Sequence, residues 1–320
     1  MIEVKGLTRY YGDFPAVRDV SFNVGENMIV GFLGLNGAGK STVLKVLAGL
    51  LMPSAGVVRI NGVDVLEAPD SARAAIGYLP EEPPLYKEMR VNDFLRWCGQ
   101  IRGMSKGDVD KRLPEVLKIC QLTHVADRVI HELSHGYKKR VGIAQAIIHR
   151  PKLVILDEPI SGLDPVQIVE MREVLKALKT TCTVLVSSHI LSEISQTCDR
   201  LMVLHDGKIV AEGSETELRD RLRGKLAVEF ILRGEQEVVE SVLSGHPGLD
   251  NHSVRAENDL IFAHVEFSGD AREDLAKAFV EKGLGLRGMA DHSSSELESV
   301  FIGLTRETPD MPKPEEVEAA

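Results

Sequence analysis

The sequence predicts an α/β fold over residues 1–222 with a helical subdomain set into it, followed by a smaller α+β domain. Three observations lead there. Short β-branched runs alternate with helical patterns through the first part; the strand signal vanishes between Glu82 and Arg150; and after Glu212-Gly213 strands and helices resume in a different order.

In the first part, strands are expected at Ile2–Val4, Val17–Val24, Met28–Leu33, Val57–Ile60, Ile76–Leu79, Leu153–Leu156, Thr183–Ser187 and Leu201–Leu204, forming a mostly parallel sheet. Asn61-Gly62 and Asp206-Gly207 are hairpin turns, so antiparallel pairs are added to it. Charged helical segments at Val91–Arg102, Lys106–Cys120 and Lys138–His149 make residues 82–150 the helical subdomain. Farther on, strands at Ala227–Leu232, Ser253–Arg255, Leu260–Phe267 and Leu284–Met289 enclose helices at Gln236–Leu243 and Ala271–Lys282. That β-α-β-β-α-β order is the ferredoxin-like arrangement, assigned to residues 223–305 with a last helix at Glu296–Leu304. Residues 306–320, acidic and broken by Pro309, Pro312 and Pro314, are expected to be a disordered tail.

The bulk composition, 43% hydrophobic and 27% charged, is that of a globular protein. No apolar run approaches the roughly 20 residues that span a bilayer. The longest, Val43 to Met52, is interrupted by Lys45. Met1-Ile2-Glu3-Val4-Lys5 lacks the basic-then-apolar pattern of a secretory signal, so the chain is expected to stay in the cytoplasm. A formal net charge of −10 argues against a nucleic-acid partner, which needs a basic face. The four cysteines show no CxxC spacing and read as reduced, structural thiols.

Chemistry concentrates in two places. The strand pattern Met28–Leu33 runs into Gly34-Leu35-Asn36-Gly37-Ala38-Gly39-Lys40-Ser41 and then into the helical pattern Thr42–Leu51, which is the P-loop spacing in its strand-to-helix context. Glycines at 34, 37 and 39 let the backbone curl so that N–H groups face phosphate oxygens, and the helix adds the positive end of its dipole. Lys40 supplies charge to the β- and γ-phosphates, and Ser41 offers a hydroxyl to Mg²⁺. Second, Leu153-Val154-Ile155-Leu156 ends in Asp157-Glu158, two carboxylates at the tip of a buried strand. Asp157 is placed to hold the metal and Glu158 to orient an attacking water. His189 follows another buried-strand pattern; taken alone, such a histidine is more often structural.

With these residues in place, the sequence resembles the ATP-binding subunits of ABC transporters over roughly residues 1–220, with motifs in the family's order. Leu133-Ser134-His135-Gly136-Tyr137 stands where the family has its LSGGQ signature, Ser161-Gly162-Leu163-Asp164 matches the D-loop, and His189 the switch histidine. Tyr11 is similar to the family's adenine-stacking aromatic, with Tyr10 a rival for the role. The resemblance implies a P-loop NTPase core of ABC type, with ATP and Mg²⁺ as cofactors. ATP contacts are implied at Tyr11, Gly34, Asn36, Gly37, Ala38, Gly39, Lys40, Ser41 and Thr42, with Ser134, Gly136 and Asp164 acting across a dimer of two such subunits. Glu158 and His189 are the implied catalytic pair, and Ser41, Asp157 and Glu81 the implied magnesium site.

Two departures from the family pattern stand out. His135 and Tyr137 replace a glycine and a glutamine, and Glu81 stands where glutamine is usual. Both look like the branch serving ABC-2-type exporters, which implies a separate membrane-spanning permease and a place on the cytoplasmic face of the membrane. Leu85, Tyr86, Met89, Phe94 and Trp97 would line the groove for it, or form the subdomain's own core. Two other readings stand beside this one. A non-transport ABC ATPase of DNA repair would carry a coiled-coil or zinc-binding insertion between Thr42 and Leu133, where neither is found; a regulatory nucleotide-binding module would not need both Glu158 and His189.

Overall fold

A computed structural model describes residues 1–222, 226–246, 248–257, 260–267 and 271–291. The expected helix at 296–304 and the tail at 306–320 lie outside the described residues. The chain divides into two compact units, the first ending at Glu215.

The first unit opens with β1 (Ile2–Tyr11), β2 (Phe14–Val24), β3 (Ile29–Leu33), α1 (Lys40–Leu47), β4 (Ala55–Ile60), β5 (Val63–Asp64), α2 (Pro69–Ala74) and β6 (Ile76–Leu79). The helical insertion follows as α3 (Val91–Ile101), α4 (Lys106–Ile119) and α5 (His135–Ile147). The core then resumes with β7 (Leu153–Leu156), α6 (Pro165–Lys179), β8 (Thr183–Ser188), α7 (Leu191–Ile194), β9 (Arg200–His205) and β10 (Lys208–Gly213). A six-stranded sheet runs β10-β9-β3-β8-β7-β6, parallel except for the β9–β10 hairpin. Its central strands β3, β7 and β8 are buried along their whole length, which is why they read as continuous apolar runs instead of alternating ones. A separate antiparallel sheet, β2-β1-β4-β5, shares one hydrophobic core with it through residues such as Leu7, Phe22, Phe32 and Met202. Both hairpin turns form with left-handed backbone, φ +52° and +79° at Asn61-Gly62 and +47° and +74° at Asp206-Gly207.

Several boundaries differ from the sequence reading. β1 runs to Tyr11, beyond the Ile2–Val4 expected, and β2 begins at Phe14, ahead of Val17, because register shifts between Val4 and Tyr10 break the period of two. α1 stops at Leu47, not Leu51; Gly49 turns left-handed at φ +67°, and the N–H groups of Leu50 and Leu51 fold back onto Lys45 O. α5 starts at His135, three residues before the expected segment, because Ser134 caps it by accepting from Tyr137 N–H at 3.5 Å.

The second unit holds α8 (Glu215–Leu222), β11 (Leu226–Arg233), α9 (Gln236–Ser244), β12 (Leu249–Glu257), β13 (Leu260–Phe267), α10 (Arg272–Glu281) and β14 (Gly285–Asp291). Its antiparallel sheet runs β12-β13-β11-β14, the strand order of the ferredoxin-like arrangement. Alternate residues Phe230, Leu232, Ala263, Val265 and Phe267 point to one face, and Val239, Leu243, Leu275 and Phe279 of the two helices close a second core over it. β12 is longer than the Ser253–Arg255 expected because it is an exposed edge strand with no apolar alternation to read.

Cys98, Cys120 and Cys182 are buried free thiols, and burial pushes those of Cys98 and Cys120 up to about 12. Among the described residues no helix is long and apolar enough to cross a membrane.

His149, just past α5, donates from Nε2 to Ile76 O at 3.0 Å, while its buried Nδ1 has no partner among the described residues. Burial, helped by the nearby charges of Arg102 and Arg112, pulls its pKa down from 6.5 to about 4. The unfolded chain takes up this proton first, so the histidine's share of stability is intact above pH 6.5 and drains away as pH falls toward 4. Urea unfolding is expected to show stability lower by about 1–2 kcal/mol at pH 5 than at pH 8, a difference that His149→Gln removes.

Candidate functional site

β3 delivers the chain to the phosphate loop between its parallel neighbours, and Gly34 N–H donates to Ser188 O at the end of β8 at 3.3 Å. The loop curls on itself, with Ala38 N–H donating to Leu35 O at 3.1 Å and Ala38 O accepting from Gly207 N–H at 3.1 Å. Gly39, at φ +101°, caps α1; a Cβ there would sit 2.6 Å from Ala16 O, so the sharp entry into the helix requires glycine. No side chain caps α1, and the N–H groups of its first turn have no intrahelical acceptor, which makes them donors for an anion. Lys40 is only 6% exposed. Its ammonium donates to Gly34 O at 2.7 Å and Leu35 O at 3.3 Å and lies 3.3 Å from Glu158 Oε1.

β7 brings the two acids to the same place. Asp157 N–H is fixed on Leu79 O at 2.9 Å, and Asp157 Oδ1 accepts from Ser187 Oγ at 2.7 Å and from Ser41 Oγ at 3.2 Å. Ser187 Oγ also accepts from Glu158 N–H at 2.8 Å, so one hydroxyl locks both acids in register. Glu158 holds a left-handed backbone at φ +48°, a conformation costing on the order of 1–3 kcal/mol for a non-glycine residue. Its carboxylate is pinned at both oxygens, Oε1 by Lys40 and Oε2 by His189 Nδ1 at 3.0 Å. Such pairing is what allows a carboxylate to remain in a buried position.

These groups open onto a cleft of about 600 Å³. It is lined by the phosphate-loop residues Asn36, Gly37, Gly39, Lys40, Ser41 and Thr42, by the polar Glu81, Glu158, Ser161 and His189, and by Tyr11, Phe14, Ala16 and Leu35. Of the two tyrosines, it is Tyr11 that lines the cleft, with the Arg9 guanidinium 5.1 Å over its ring. Gly34 and Ala38 serve the loop from behind: a Cβ on Gly34 would meet Leu204 O at 2.6 Å, and Ala38 is buried.

Three predicted residues stand apart from the cleft. Ser134 caps α5, Asp164 caps α6 by accepting from Gln167 N–H at 2.9 Å, and Gly136 packs on Gln167, so the tips of the two helices adjoin each other. Motif and spacing do not single out Ser187, Phe14 in the cleft, or Lys139, whose ammonium donates to Glu81 O at 2.6 Å and Glu158 O at 3.0 Å; Ser161, the first residue of the D-loop match, also lines the cleft. Ser187 sits two residues before His189 and is visible only as the polar end of a buried strand.

The donor set suits magnesium. A hydroxyl and a carboxylate oxygen stand 3.2 Å apart at Ser41 and Asp157, and Mg²⁺ is held through one or two carboxylates plus substrate phosphates. Among the described residues no group of three or more His, Cys, Asp or Glu is placed to hold a metal ion.

A family model described as ABC transporter matches residues 17–161. The chain is 39% identical over 302 residues to the ABC transporter ATP-binding protein YxlF of Bacillus subtilis, covering 94% of this chain and 98% of that one. It is 34% identical over 307 residues to the bacitracin transport ATP-binding protein BcrA of Bacillus licheniformis, covering 95% and 97%. Among solved structures, the dimeric bacterial ABC transporter cassette MJ0796 superposes with a TM-score of 0.61 at 27% identity, over 67% of this chain and 98% of that one. The phosphate loop, the paired acids and these matches together place the chain in the ABC transporter family, as an ATP-binding subunit that hydrolyses ATP to power transport.

Proposed function

We propose that two copies of this chain close on ATP and Mg²⁺ and drive an exporter through a separate ABC-2-type permease, holding the subunit at the cytoplasmic face of the membrane. The observation that carries this reading is the Glu158 carboxylate, clamped between Lys40 and His189 at the mouth of the phosphate loop. Arrival of the triphosphate offers Lys40 a stronger anionic partner than the Gly34 and Leu35 carbonyls and frees Glu158 Oε1. Glu158 then accepts a proton from water as its oxygen bonds to the γ-phosphorus and the β–γ bridging bond breaks, leaving ADP and phosphate. His189 Nδ1–H keeps Oε2 from swinging away. Ser41 and Asp157, with the exposed Glu81 lining the same cleft, would hold a magnesium ion, which would supply charge neutralisation to the phosphates.

Ser134, Gly136 and Asp164 do not line their own chain's cleft. Their position supports a composite site in which they cover the nucleotide held by the other copy, and the dimeric cassette resembled by this chain is consistent with that. Tyr86 and Trp97, 55% and 37% exposed with rings 4.7 Å apart over a buried Phe94, support reading this cluster as the surface for the permease. Export is favoured by the likeness to the bacitracin transport protein.

Complementation of two inactive variants tests the composite site. Ser134→Arg and Lys40→Ala are each expected to lack hydrolysis, while a mixture regains it, because a mixed dimer contains one intact loop facing one intact signature. No recovery on mixing, or full activity of Ser134→Arg alone, counts against the proposal. Isolation of the chain from membranes identifies the permease that co-purifies with it.

A further inference from the structure

Lys139 lies on the first turns of α5 and is 2% exposed, a burial that a lysine tolerates only with strong partners. Those partners are two backbone oxygens from distant parts of the chain. One is Glu81 O, 2.6 Å away in the segment between β6 and the helical insertion; the other is Glu158 O, 3.0 Å away just after β7. Glu158 O also accepts from Ser161 N–H at 3.3 Å. The strained left-handed peptide of Glu158 is thus held on its N–H side by Ser187 and on its carbonyl side by Lys139 and Ser161. Lys139 is the only one of these three that also grips the Glu81 segment.

We infer that Lys139 is a positioning residue for hydrolysis: by joining the carbonyls of Glu81 and Glu158 to the signature helix, it fixes the angle at which the Glu158 carboxylate meets the attacking water. The inference rests on the role proposed for Glu158. Without the ammonium, Lys40 and His189 still attract the carboxylate, but the peptide carrying it loses its tie to α5 and to the Glu81 segment. Burial pulls the Lys139 ammonium below the ordinary lysine range, and the carboxylates of Glu81, Glu158, Asp157 and Glu82 oppose that, so the charge belongs to a local balance with the site's own acids. Lys139 thereby ties the Glu81 segment, which leads into the helical insertion, directly to the Glu158 carbonyl, beside the backbone bond from Asp157 N–H to Leu79 O.

Lys139→Met keeps the apolar stem and volume and removes the donors; Lys139→Gln restores an N–H₂ group. In the full chain at saturating ATP, kcat of Lys139→Met is expected to fall about 10- to 100-fold, the size of loss that sub-ångström to ångström misplacement produces. ATP affinity, read by fluorescent-nucleotide titration, should stay within about threefold because neither partner is a phosphate contact. Lys139→Gln should recover part of the rate, and adding Lys139→Met to Glu158→Gln should cost nothing further. The inference is overturned by a wild-type kcat in Lys139→Met. It is equally overturned by rate and affinity falling together, or by equal losses in the Met and Gln variants with a lowered melting temperature, which mark a packing role only. If Glu158→Gln itself hydrolyses ATP normally, the underlying assignment of Glu158 fails instead.

Discussion

Glu158→Gln is expected to lower kcat by about three orders of magnitude, within the range associated with losing a general base, while ATP still binds with an affinity within about threefold of wild type. The amide is isosteric with the carboxylate, so the left-handed turn and the Ser187 and Lys139 bonds to the Glu158 backbone survive. One amide oxygen can face Lys40, and the amide N–H₂ can face His189, whose neutral ring presents an acceptor in its other tautomer. What is lost is the capacity to take a proton from water. Binding without turnover should hold the closed state, so analytical sedimentation with ATP and Mg²⁺ is expected to show a persistent dimer in the variant and a transient one in the wild type. Hydrolysis at the wild-type rate would remove Glu158 from the mechanism.

The parts of the site that the sequence made legible are those encoded by contiguous spacing. Gly34 to Ser41 and Asp157-Glu158 each sit at the end of a strand buried on both faces, so an apolar run followed by polar residues reports both the strand and its tip. The residues that stayed hidden act through backbone atoms far away in the chain. Lys139 reaches carbonyls 58 and 19 residues distant, and Ser187 reaches a backbone N–H 29 residues back, which leaves no spacing for a reader to recognise. Phe14 was missed for another reason: the β1–β2 hairpin that carries it to the cleft beside Tyr11 is irregular, and the bulges erase alternation where it would have counted. The aromatic cluster of the insertion had two readings, groove or core, and the structure divides them, with Phe94 fully buried and Tyr86 and Trp97 at the surface.

Lys40→Ala is expected to act on binding instead of turnover, weakening ATP by at least about 100-fold. Lys40 is the cation that pairs with Glu158 Oε1 and reaches the loop carbonyls, and removing it leaves Asp157 and Glu158, both buried, facing an incoming polyanion. A hydrogen bond to a charged group contributes about 1.5–3 kcal/mol, and removing an ammonium that serves two phosphates loses more than one, which covers the roughly 2.7 kcal/mol that a hundredfold loss requires. The substitution also costs the free protein stability, since among the described residues Glu158 then keeps His189 as its one remaining side-chain partner. The melting temperature without nucleotide should therefore drop somewhat, and the further rise that saturating ATP gives the wild type should disappear, because ligand stabilisation follows the ratio of ATP concentration to Kd. A variant that melts lower but is still raised by ATP to the wild-type extent would show that the curled backbone and the α1 terminus hold the phosphates without the lysine. The two substitutions thus separate what the shared ion pair joins: loss of its cation removes the grip on the nucleotide, and loss of its anion's charge leaves the grip and stops the chemistry.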